Sequence, residues 1–196
     1  MESSAVRRKT LVAREDLVNR VAEIAKGQGC SLFELVNDLF RLAIVSDKLN
    51  FSLRQVVVDR KVVEVAKSSG FVLGLERLWY EMADLAYKKD KRGALKSWFD
   101  SGVWFGSRYA TSGNSSSFDQ FKSDLIAFTW NAPEFEFNLV KNTVFVKVTS
   151  PRFTEAYTFL FSSFIVGALD SFGYQLISEE VSRGIIRLEA QRSVVE

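Results

Sequence analysis

The chain has 196 residues, 47% of them apolar and 13% aromatic, with a formal charge of only +2. That apolar share can build a sizeable core and excludes global disorder. One cysteine, Cys30, and no histidine exclude an intramolecular disulfide, His-dependent triads and the usual zinc sites.

Residues 1–6 read as a loose arm, and Arg7-Arg8-Lys9 is a local basic cluster. Arg8 to Ala13 fits a short strand. A helix is predicted from Arg14 to Lys26, with Leu17, Val21, Ile24 and Ala25 on one face at amphipathic spacing. Gly27-Gln28-Gly29 stops it, Gly29 suiting a left-handed cap. Ser31 caps a second helix and Glu34, three residues on, completes a capping box. That helix carries Leu32, Leu35, Val36, Leu39, Leu42 and Ala43 and ends near Ser46-Asp47.

A third helix is predicted over residues 54–67 and a fourth over 73–89. The basic run Lys88-Lys89-Asp90-Lys91-Arg92 leads into a short helix over 91–100, expected to end before Gly102 and Gly106. Thr111 to Ser117 is the best linker in the chain. Phe118 to Phe128 reads as a helix. Phe135 and Phe137 alternate with polar residues, as Val144, Val146 and Val148 do with Phe145 and Lys147, so the two runs form a hairpin. Pro151 is expected in the first turn of a long helix over 152–172, apolar on most faces, in which Phe159 and Phe164 are expected to be the most buried. Its most apolar stretch, Phe159 to Leu169, is too short to span a membrane. Tyr174 to Val181 and Ile185 to Ala190 form a second hairpin.

The fold class is therefore α+β: a βαα unit at 1–47, a helical segment at 48–110, and a ββαββ antiparallel-sheet domain at 118–196. Val21–Gly29 is echoed by Val62–Gly70 at an offset of 41 residues, and Leu49, Phe51 and Leu53 alternate with polar residues ahead of the echo. Residues 49–88 are either a degenerate second βαα repeat or a helical segment packed on the first unit.

The order of strand, helix, Gly-centred turn and Ser-capped helix over Arg8 to Ser46 resembles the ribbon-helix-helix family of DNA-binding proteins. The resemblance implies a homodimer on double-stranded DNA, with two strands paired as a ribbon in the major groove. Strand alternation then turns Arg8, Thr10 and Val12 to the groove, between Arg7 and Lys9, while Ser31 and Leu32 offer backbone N–H groups to a phosphate. Phe135-Glu136-Phe137, Gly167-Ala168-Leu169 and Glu179-Glu180 before Gly184 are similar to vinyl-reductase-type regulatory domains, which implies a small-molecule effector or an assembly role.

No enzyme is expected. Glu134 with Glu136, and Glu179 with Glu180, are paired carboxylates of the kind usual on exposed hairpins. Trp98, Trp104, Tyr109 and Trp130 either stack on bases or form a buried cluster. No cofactor or metal is expected. Residues 1–10 are polar and basic with no apolar run behind them, so neither a secretory leader nor a membrane partner is expected, and the expected location is the cytoplasm, on the nucleoid. The main reading is a sequence-specific transcriptional regulator whose middle helices extend the dimer. An architectural or segregation protein with little sequence preference, and an interaction protein that does not touch DNA, are the alternatives.

Overall fold

A computed structural model describes residues 9–72, 74–111 and 116–192. These hold helices α1 (Glu15–Gly27), α2 (Leu32–Lys48), α3 (Leu53–Ser68), α4 (Glu76–Lys89), α5 (Lys91–Ala110), α6 (Ser117–Phe128) and α7 (Glu155–Asp170). The strands are β1 (Glu134–Val140), β2 (Thr143–Thr149), β3 (Tyr174–Ser182) and β4 (Ile185–Arg192). The chain divides into two compact units, one up to Arg60 and one from Lys61 onward.

The first unit is helical. Residues 9–14, the described part of the expected strand, are unpaired coil. A lone strand has no ladder to complete, and the four strands described all lie in the other unit. Arg7 and Arg8 lie outside the described residues. Helix α1 closes as the glycine signal predicts. Cys30 N–H donates to Ala25 O at 3.1 Å and Gly29 N–H to Lys26 O at 3.2 Å, a Schellman closure that needs the positive φ of Gly29, +71°.

No second ribbon strand exists at residues 49–54. Helix α2 runs on to Lys48, Asn50 takes φ +58°, and α3 starts at Leu53. What recurs is the helix ending. Phe51 N–H donates to Ser46 O and Phe71 N–H to Ala66 O, each one helical closure like that of Cys30 on Ala25. The echo of Val21–Gly29 at Val62–Gly70 is thus a repeated way of stopping a helix.

The second unit places α7 and α6 against one face of an antiparallel sheet of order β1-β2-β4-β3. Phe137, Val144, Val146, Val148, Ile186, Leu188 and Ala190 point inward and are buried. Their alternating neighbours Glu136, Lys147 and Arg187 stand opposite one another on the outer face, in the register Glu136↔Lys147↔Arg187. The period of two in the sequence is this division of faces.

Three expectations are corrected here. Helix α5 does not end at Asp100 but continues through Gly102 and Gly106 to Ala110. Those glycines are contact points: a Cβ on Gly102 would stand 2.0 Å from Phe164 O, and one on Gly167 would stand 2.1 Å from Phe99 O. Missing side chains let α5 and α7 approach backbone to backbone, and that packing outweighs glycine's weak helix propensity.

Helix α7 starts later than Pro151. Thr154 caps it, its Oγ1 accepting from Tyr157 N–H at 3.3 Å, while Pro151 and Arg152 form a turn and Phe153 plugs into the core. Phe159 and Phe164 are not its most buried residues. Leu160, Ile165 and Ala168 are fully buried. Phe159 instead stacks on Tyr87 of α4, with centroids 6.1 Å apart and Lys91 Nζ 5.5 Å from its ring. A helix apolar on nearly every side gives no phase from pattern alone, so the neighbouring elements decide it.

Candidate nucleic-acid interface

The residues expected to touch DNA lie ahead of α1 and at the start of α2. Lys9, Thr10 and Val12 are exposed, Val12 at 99%. Arg14 has extended backbone, φ −64° and ψ 133°, and turns the chain into α1. Its guanidinium forms a fork on Asp16, at 3.0 and 2.7 Å. Glu15 and Asp16 in the first turn and Lys26 in the last both complement the helix dipole.

Helix α2 begins with the expected capping box. Ser31 Oγ accepts from Glu34 N–H at 3.2 Å, and Ser31 N–H donates to Glu34 Oε2 at 2.8 Å. The Ser31 N–H is therefore taken, and the Glu34 carboxylate holds a negative charge where a phosphate oxygen would sit. The Ser31 backbone donor and hydroxyl push the Glu34 pKa below its usual value. Leu32, at the first helical position, keeps its N–H outside the box.

Around these groups the first unit buries very little. Ala25 and Ser46 are its buried residues among those described. Leu17 and Ile24 on α1, and Phe33, Leu39, Phe40, Leu42, Ile44 and Val45 on α2, are all exposed. So are Val56, Val57 and Val58 at the start of α3. Such contiguous apolar surface is unusual on a monomer and marks a surface that meets another.

In the second unit the carboxylates named above are engaged. Glu134 and Glu136 flank Lys147 Nζ at 3.4 and 3.6 Å, Glu180 meets Arg187 at 2.8 Å, and Glu179 accepts from the buried Ser162 hydroxyl. No group of three or more His, Cys, Asp or Glu able to hold a metal occurs among the described residues.

Two polar networks tie helices together. Tyr80 donates to Glu76 at 2.6 Å and accepts from Asn131, while Arg152 pairs with the other Glu76 oxygen at 3.0 Å. Tyr109 donates to Asp124 at 2.9 Å, and Gln120 holds the second Asp124 oxygen. Burial first, then the carboxylate partner, raises the pKa of both phenols, so they stay neutral donors.

Of the aromatics that might stack on bases, Trp98 packs edge-on against Tyr157 and Tyr109 against Phe105 and Phe121. Trp104 and Trp130 are exposed. Trp104 edges an open groove of about 460 Å³ along α5 with Gly93, Lys96, Ser97, Asp100 and Ser101. The basic turn Lys88-Lys89-Asp90-Lys91-Arg92 is also exposed, and the Asp90 side chain caps α5 by accepting from Gly93 N–H. No helix among the described residues is long and apolar enough to cross a membrane. No family model, no curated protein and no solved structure matches the chain.

Proposed function

We propose that this chain is a homodimeric, DNA-binding transcriptional regulator, in which residues 8–13 of two copies pair as an antiparallel ribbon that enters the major groove. The observation that carries the reading is the open first unit. A helical hairpin with apolar residues around almost the whole of α2, preceded by an exposed coil with no partner, is half of a structure. A second copy supplies both a strand for the ladder and a cover for the α1 and α2 faces.

In this arrangement Arg8 and Thr10 reach base edges, Arg8 to guanine and Thr10 to a base or a thymine methyl, while Val12 gives apolar contact only. Arg7 and Lys9 lie against phosphates. The phosphate contact at α2 falls to Leu32 N–H, because Ser31 N–H belongs to Glu34. The second unit serves assembly.

The test is a binding selection on random duplex DNA, followed by titration of the winning site. A regulator of this kind selects a palindrome of two half-sites and prefers it over bulk DNA by about 10³ or more. Binding without an enriched site turns the reading to an architectural protein. No binding at low salt refutes it.

A further inference from the structure

Helix α4 has two apolar faces and uses one. Tyr80 and Ala83 are buried within the second unit and Tyr87 is half-buried. On the other side Leu75, Leu78, Trp79, Met82 and Leu85 are exposed by 43% to 76%. Steps of three, four and three from Leu75 through Leu78 and Met82 to Leu85 are those of a helix–helix seam, with Trp79 beside it. The bordering charges are already satisfied, because Arg77 Nε meets Glu81 at 2.8 Å within the chain.

We infer that this stripe seats on the same stripe of a second copy, so that α4 packs on its symmetry mate and closes the dimer a second time. The inference rests on the homodimer proposed above. In a two-fold dimer a patch near the axis meets itself, so a self-complementary apolar stripe bordered by paired charges needs no other partner. The five side chains expose on the order of 600 Å², and burying both copies removes about 1,200 Å², the lower edge of a specific interface. That suffices for a contact joined to another. Once the first units pair, the α4 stripes meet at an effective concentration of about millimolar.

Cysteine pairing in the full chain tests this. In a Cys30→Ser background, Leu75→Cys, Leu78→Cys, Met82→Cys and Leu85→Cys are made singly, with Leu78→Cys and Met82→Cys also combined. Each is oxidised at micromolar concentration, run without reductant, and sized in parallel by light scattering. The expected result is a disulfide-linked dimer. Linkage of the single variants means parallel helices, and linkage of the combined variant alone means antiparallel ones.

Dimer mass with no linkage at any position overturns the α4 contact and leaves the ribbon dimer standing. Monomer mass overturns both. Thiols shielded from alkylation without a linked dimer mean that some other surface covers the stripe, and this too overturns the inference.

Discussion

Replacing glycine by alanine inside a helix normally gains about 1 kcal/mol. At Gly102 the sign reverses. An added Cβ would stand 2.0 Å from Phe164 O and 2.9 Å from Ala168 N. Both are backbone atoms of α7, so no rotamer change relieves the clash. Restoring a separation of about 3.5 Å requires α5 and α7 to part by more than roughly 1 Å. The parting loosens Phe105, Ile165, Ala168 and Leu169, each at most 1% exposed. Overpacking costs about 1–3 kcal/mol, and a clash this deep against backbone belongs at the upper end. Subtracting the propensity gain leaves a net loss of about 2 kcal/mol. In a urea titration with m of about 1–3 kcal/mol/M, the Gly102→Ala midpoint should fall by roughly 1 M at unchanged slope. Gly27→Ala is the control, since a Cβ there meets nothing within 4 Å, and it should be neutral or slightly stabilising. A Gly102→Ala protein as stable as the parent would refute the close packing of α5 on α7.

The phase of α7 gives a second contrast: Leu160→Ala should cost about 2–5 kcal/mol by denaturant titration, whereas Phe159→Ala, at the edge beside Tyr87 and Lys91, should cost clearly less. Glu34, with its pKa lowered by Ser31, stabilises the start of α2 above the ordinary carboxylate range, and this stabilisation is lost as pH falls through its folded value. Circular dichroism during acid titration should show that loss in the parent but not in Glu34→Gln, which keeps the box geometry without the charge. Arg8→Ala should weaken binding to the selected DNA site by about 1–3 kcal/mol and leave the melting curve unchanged; equal affinity removes Arg8 from the groove.

Most helices and both hairpins were legible because their signals are local. Gly29 and Ser31 mark one helix end and the next start, and the alternation around Phe137 and Val146 separates buried from exposed faces without reference to the rest of the chain. The failures lie where distant segments meet. Gly102 and Gly106 read as breakers, because glycine's propensity is a property of its own segment while the α7 backbone that profits from the missing Cβ lies about 60 residues on. Thr154 was passed over as a cap because Pro151 offered an earlier start. The choice between Phe159 and Leu160 as the buried residue needed the positions of α4, α5 and β4, which periodicity does not contain.

The candidate interface was legible to a different depth. The capping box at Ser31 could be read to the atom, yet reading Ser31 as a phosphate donor overlooked that the same box spends its N–H on Glu34. The alternation from Arg8 to Ala13 has meaning only when a second strand lies beside it, because an isolated strand makes no ladder and buries neither face. Likewise Leu39, Leu42, Val45 and the α4 stripe were legible as apolar but not as exposed, since exposure depends on what else the chain supplies to cover them. These residues share one property: the described chain gives each an apolar side chain and no cover. A pattern that is complete in sequence and unsatisfied in one copy argues for an assembly as the folded unit, with the ribbon and the α4 seam as its two points of closure.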